Sequence, residues 1–144
     1  MHKIILIQGA NMNYLGIREP EIYGHTSADD LNKTLMQFAK KEQFELDIFY
    51  TNIEGEAINK IYECADKKYD GLVMNPAGFL YAGYALRDCV KGANLPYIEI
   101  HVSNIIKRKM NCVLTEVAIG IIAGFGVFGY QLALKAMLNH LGAQ

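Results

Sequence analysis

No stretch of this chain approaches the roughly 18 consecutive apolar residues that a membrane-spanning helix requires. The most apolar region, Val117 to Ala123, is short and is closed at once by Gly124. Charge of one sign is not in excess either. The net charge of −1 leaves no basic footprint for nucleic acid or for an anionic membrane surface. The amino end has no secretory layout, because the apolar run after Lys3 covers only Ile4 to Ile7 before a polar, glycine-bearing stretch begins. Cysteines are few: Cys64, Cys89 and Cys112 form no CxxC pair and are odd in number, which predicts reduced core thiols and a cytoplasmic protein. Metal and nucleotide signatures are missing too. There is no HExxH, GxGxxG or GxxxxGK[ST], and neither of the two serines, Ser27 and Ser103, sits in GxSxG. No cofactor and no metal are expected.

What the 144 residues do contain is an alternation of strand and helix signals from end to end, enough for one domain over residues 1–144 with its own core. Ile4 to Ile7 reads as a buried strand, and Thr26 to Asp30 as a helix start with hydroxyl caps and early acidic residues. Phe44 to Tyr50 predicts a second strand nearer a sheet edge, followed by a helix carrying Ala57, Ile58, Ile61 and Tyr62 on one face. Leu72 to Met74 predicts a third strand ending at Asn75-Pro76, with a helix over roughly Tyr81 to Val90. Pro96 to Ile100 is a fourth, Ala118 to Ala123 a fifth, and a long last helix carries Leu132, Leu134, Met137 and Leu141. Five short apolar strands between helices predict an α/β fold: a three-layer α/β/α, flavodoxin-like arrangement with a five-stranded parallel sheet. In such folds the site lies beyond the carboxyl ends of the strands. Polar residues do gather there: Gln8 and Asn11, then Thr51, Asn52 and Glu54, then Asn75, then Glu99, His101, Ser103 and Asn104.

Among these, His101 is the first candidate for proton transfer, since imidazole titrates near neutrality. Glu99, two residues earlier on the same strand face, is placed to orient it and favour its charged form. The plainer reading is a hydrogen-bonded strand-end histidine. The long stretch Gln8 to Gly24 carries Asn11, Arg18 and Tyr23 between Gly16, Pro20 and Gly24, which suits a mobile active-site loop. A guanidinium beside a phenol favours phenolate; the bland alternative is an Arg18–Glu19 surface pair with Tyr23 packed on the rim.

Taken together the chain resembles type II 3-dehydroquinate dehydratase, the small dehydroquinase of the shikimate and quinate routes. The resemblance rests on Asn11-Met12-Asn13-Tyr14-Leu15-Gly16-Ile17-Arg18-Glu19-Pro20 through Tyr23-Gly24. Further blocks follow in order: Asn52 to Glu56, Asn75-Pro76, Ala85 to Asp88, Ile98 to Asn104 and Gly124 to Gly126. It implies anti elimination of water from 3-dehydroquinate through an enolate. Tyr23, held as phenolate by Arg18, would be the base, Asn11 would stabilise the enolate, and His101, oriented by Glu99, would be the acid. Val102, Ser103 and Asn75 would hold the substrate carboxylate. Asp88 would serve a neighbouring subunit's site, because the family assembles as trimers stacked into a homododecamer.

The departures are concentrated on the side that recognises ring hydroxyls. Tyr81, Ala82 and Gly83 stand where the family has histidine, threonine and serine, and Cys112 stands where it has an arginine. Lys107, Arg108 and Lys109 lie nearby and are expected to substitute only on a re-routed backbone. Two alternatives to dehydroquinate turnover therefore stay open. One is a lyase of the same mechanism on a less hydroxylated beta-hydroxy ketone acid. The other is a non-catalytic small-acid-binding or scaffold homologue.

Overall fold

Strand β1 (Lys3–Ala10) buries Ile4 to Ile7 completely and lies second from one edge of the sheet. In the computed structural model, which describes residues 1–142, five parallel strands run in the order β2-β1-β3-β4-β5. The others are β2 (Glu45–Tyr50), β3 (Gly71–Ala77), β4 (Tyr97–His101) and β5 (Gly120–Ala123). Alternating residues feed two separate cores. Ile4, Leu6, Val73, Ile98 and Ile100 face one layer, and Ile5, Ile7, Leu72, Met74 and Tyr97 the other. This is the three-layer, flavodoxin-like architecture that the sequence predicts.

The first layer is α2 (Ala28–Glu42), which buries Leu31, Leu35 and Ala39, and α5 (Phe128–His140), which buries Tyr130, Ala133, Leu134 and Met137. Helix α2 starts where the sequence places it. The Ser27 hydroxyl accepts from the Asp30 amide at 3.1 Å, acids open the helix, and Lys40 and Lys41 close it. The second layer is α3 (Glu54–Asp66) and α4 (Tyr84–Ala93). Glu54 bridges them by accepting from the Leu86 amide at 3.0 Å, so this strand-end carboxylate caps a helix. Helix α4 begins three residues later than its sequence signal. Cys64, Cys89 and Cys112 are buried, free thiols. Among the described residues no helix is long and apolar enough to cross a membrane.

Two strands differ from expectation. Strand β3 does not stop at Met74 but runs through Asn75-Pro76 to Ala77, paired to β1 up to Ala10–Ala77. Its ladder to β4 ends at Met74–Glu99, so Pro76, which lacks an N–H, lies past the last β3–β4 pair. Strand β5 is two residues shorter than its apolar run and, as an edge strand, leaves Ile121 exposed. The chain leaves β1 toward β2 on one side and later enters β3 on the other. That reversal opens a crevice at the β1/β3 carboxyl ends, where ligands of such sheets bind.

Candidate active site

Gly9 sets the crevice. A Cβ there would lie 2.2 Å from the Pro76 carbonyl oxygen, so only glycine lets β1 and β3 approach this closely before they diverge. Beyond it Asn11 adopts a left-handed backbone (φ 75) and its amide donates to Asn52 Oδ1 at 2.7 Å. The expected open loop is in fact largely folded. It forms a single 3-10 turn, Met12–Tyr14, and then the short helix α1 (Pro20–Tyr23), with proline at its first turn. Gly16 (φ 86) is held against the Thr26 carbonyl, where a Cβ would come within 2.8 Å. This fold brings Arg18 and Tyr23 over a cavity of about 100 Å³, which Asn11, Asn75, His101, Val102 and Ser103 also line.

Arg18 and Tyr23 meet a partner that the sequence reading gave no role. Arg108 Nη1 donates to the Tyr23 hydroxyl at 3.3 Å and to Ser103 Oγ at 2.8 Å. Its guanidinium carbon sits 5.6 Å from the Tyr23 ring centre, and that of Arg18 5.4 Å away. Arg18 also pairs with Glu19 at 3.4 Å, so the surface-pair reading and the Tyr23-contact reading both hold. Arg108 has no carboxylate partner among the described residues. The loop that delivers it starts at Asn104, whose side chain accepts from the Lys107 amide at 3.1 Å. It turns at Lys109 in a left-handed conformation (φ 58). An asparagine turn-former just before a basic triplet was the available signal.

On the opposite side His101 Nε2 lies 2.8 Å from Glu99 Oε2. Glu99 is fully buried and receives three further hydrogen bonds. Thr115 Oγ1 donates to Oε2 at 2.6 Å, while Tyr97 Oη (2.8 Å) and Cys112 Sγ (3.4 Å) donate to Oε1. Burial by itself would raise its pKa. The hydrogen bonds from His101, Thr115 and Tyr97 and the charge of His101 outweigh burial and hold it below the ordinary carboxylate value. Cys112 therefore turns toward Glu99 and does not line the cavity. Burial, and then the Glu99 charge, push its thiol up to about 12. The ligand atoms of Glu99, His101 and Cys112 lie within 4.8 Å of one another. A cation there would have to displace donors already in place, and we assign none.

Asn75 is braced. Its Nδ2 donates to Tyr130 Oη at 2.9 Å and makes a weaker 3.5 Å contact with Met12 Sδ, and its Oδ1 accepts from the Ala77 amide at 2.9 Å. Tyr130 in turn donates to Gln8 Oε1 at 2.7 Å, a link between the last helix and the first strand that no sequence pattern signalled. Leu80, Ile105 and Met110 supply apolar lining, and Tyr81 stands exposed at the rim. Asp88 lies outside the cavity, exposed on the outer face of α4 and 3.5 Å from Arg87.

A family model described as dehydroquinase class II matches residues 2–138. The chain is 40% identical over 144 residues to a 3-dehydroquinate dehydratase of Clostridium botulinum, covering 98% of this chain and 97% of that one. It is 41% identical to a 3-dehydroquinate dehydratase of Prochlorococcus marinus at the same coverage. The crystal structure of type II dehydroquinase from Butyrivibrio crossotus superposes with a TM-score of 0.91 at 34% identity, covering 94% of this chain and 97% of that one.

Proposed function

The chain belongs to the class II dehydroquinase family, a family of hydro-lyases, and from that membership and the cavity geometry we propose how it eliminates water from 3-dehydroquinate. Tyr23, as phenolate beside the two guanidiniums of Arg18 and Arg108, takes the proton alpha to the ketone. Asn11 stabilises the resulting enolate, through water. The enolate then collapses to the enone as His101 delivers its proton to the departing beta-hydroxyl, so that one water leaves. Tyr23 now holds a proton and His101 lacks one, and a transfer between them through solvent resets the pair. Val102 and Ser103 receive the substrate carboxylate with Arg108 and with Asn75, which exchanges its weak Met12 contact for it. The observation that carries this reading is the placement of Tyr23 beside cations and His101 beside a buried carboxylate on one cavity. A candidate base and a candidate acid thereby face one cavity, the pairing that an elimination of water needs. A binding or scaffold protein has no use for that pairing.

The test is direct. Purified protein is incubated with 3-dehydroquinate and the conjugated enone absorbance of 3-dehydroshikimate is followed. Turnover supports the reading, and no turnover at any substrate concentration rejects it.

A second reading, the same elimination on a less hydroxylated beta-hydroxy ketone acid, is favoured by the lining of Leu80, Ile105 and Met110 and by the turn of Cys112 away from the cavity. A hydroxyl placed against such a wall loses its partners. Comparing kcat/KM for 3-dehydroquinate with that for its analogue lacking the two non-reacting secondary ring hydroxyls decides between the two.

Arg108 gives a sharper prediction. Arg108→Met removes hydrogen bonds to Tyr23 and Ser103 and is expected to lower kcat/KM by roughly ten- to a hundredfold, the range of charged hydrogen bonds. Arg108→Lys recovers only part, because an ammonium is a point charge without the planar guanidinium that lies over the Tyr23 ring. Undiminished kcat/KM in Arg108→Met would remove Arg108 from the site.

We also propose self-association, as a trimer-based dodecamer. Ile106, Ile119, Ile121, Phe125 and Phe128 are exposed around the β5 edge, and Ile106, Ile121 and Phe125 line one shallow hollow. An open strand edge bordered by apolar side chains is a surface that proteins cover. Sedimentation should give a multiple of the 16.1 kDa chain mass; a single monomeric species at working concentration would rule it out.

A further inference from the structure

A carboxylate and an imidazole that share one proton have two places to keep it, and a general acid works only if the proton is on the imidazole. Glu99 is completely buried, where a lone carboxylate would take the proton itself. We propose that Tyr97, Cys112 and Thr115 are positioning residues for the acid: their three hydrogen bonds hold Glu99 as a carboxylate fixed in rotation, so that the shared proton sits on His101 at the cavity. The proposal rests on the reading of His101 as the acid.

The arrangement follows from the local fold. Tyr97, Glu99 and His101 alternate onto one face of β4, so the phenol reaches the carboxylate from the strand's own start. The chain after β4 folds back over that face through the Val113 amide on the Leu80 carbonyl (3.0 Å) and the Ile119 amide on the Tyr97 carbonyl (2.8 Å). It thereby delivers Cys112 and Thr115. Each Glu99 oxygen takes two donors: Tyr97 and Cys112 on Oε1, His101 and Thr115 on Oε2.

Oε1 is thus saturated from the side away from His101, which leaves Oε2 directed at Nε2. The threonine is a permanent donor. Burial, with Glu99 beside it, puts Tyr97 well above the ordinary phenol value and Cys112 up to about 12, so these two also stay protonated while the pair works. The neighbouring strands face Glu99 with Met74 and Ile121, which do not titrate. Across the cavity the charged and titratable groups are Tyr14, Arg18, Tyr23, Tyr81 and Arg108.

The sign of the test follows. Removing a donor destabilises the carboxylate in every state that contains it. The pair then loses its proton at higher pH, and while it keeps the proton a larger share of it sits on Glu99. In Tyr97→Phe and Thr115→Val, the limb of the kcat/KM profile on which activity falls with rising pH should move up by about one pH unit, while the plateau falls about tenfold. Cys112→Ala should move it up less. Cys112→Ser, whose hydroxyl donates better than a thiol, keeps the proton on His101 and should leave the limb and the plateau in place. A merely structural role lowers the plateau and leaves the limb in place. The His101 ring protons, assigned against a His101 variant, give the same titration by NMR without turnover and should shift in the same order. Limbs and NMR midpoints within about 0.2 units of the wild type in both Tyr97→Phe and Thr115→Val would overturn the proposal. Absent turnover with ordered NMR shifts would instead reject the dehydratase reading and keep the network.

Discussion

Tyr23→Phe is expected to lower kcat for 3-dehydroquinate by roughly a hundred- to ten-thousandfold, the usual contribution of a positioned acid or base. The ring keeps its shape and its stack under Arg18 and Arg108, so substrate affinity should change little. Tyr23 is only half-buried on a short helix, and loss of its oxygen leaves Arg108 bonded to Ser103. Stability should therefore stay within about 0.5 kcal/mol of the wild type, and a retained thermal midpoint separates lost chemistry from lost fold. The matching acid variant needs more care. His101→Ala strips the buried Glu99 of its charged partner, a change that costs about 3–5 kcal/mol, so His101→Gln, which keeps a donor, is the cleaner probe. Each single variant disables one half of the same elimination. The double variant should accordingly be far less impaired than the product of the two. Retention of more than a tenth of kcat in Tyr23→Phe would exclude Tyr23 as the base.

Gly9→Ala is expected to have the largest structural effect of any single methyl added at the site. The new Cβ would meet three backbone atoms: Pro76 O at 2.2 Å, Pro76 C at 2.7 Å and Asn75 O at 2.9 Å. No side chain can rotate away. The strands must part, at about 1–3 kcal/mol for overpacking, which lowers the thermal midpoint by several degrees in a domain of this size. Activity should fall further than stability. The carboxyl ends of these strands carry Asn11 on one side and Asn75 on the other, and a shift of about 1 Å can cost a hundredfold. Gly55→Ala in α3, where nothing lies within 4 Å of the added Cβ, is the control and should be neutral or slightly stabilising. Equal midpoints and equal activity for the two variants would show that the close approach at Gly9 is unimportant.

The sheet was legible because each strand is an apolar run bounded by polar residues. The carboxyl-end rule then placed Asn11, Asn75, His101 and Ser103 on one cavity from sequence order alone. Glu99 and His101 were legible as a pair because strand side chains repeat every two residues. Arg108 was not, since its reach depends on a left-handed Lys109 and an asparagine-headed turn that no periodicity encodes. Cys112 read as a residue missing from a binding pocket. Its orientation toward Glu99 is set by the fold-back of the chain after β4, a tertiary event. The exposed face of β5 was hidden for a related reason: an apolar strand looks the same whether a neighbour in its own chain or another chain covers it.

Tyr130 also bears on how the molecule is made. Its hydroxyl reaches back 122 residues to Gln8 and 55 to Asn75, and β5 and α5 are synthesised after all the residues proposed for proton transfer. A nascent chain can carry every residue of the proposed proton-transfer set and still lack the helix whose Tyr130 braces Gln8 and Asn75 at the β1/β3 crevice. Competence should therefore arrive abruptly, once α5 has emerged and docks. Fragments ending before residue 128 would carry the side chains proposed for catalysis without the activity.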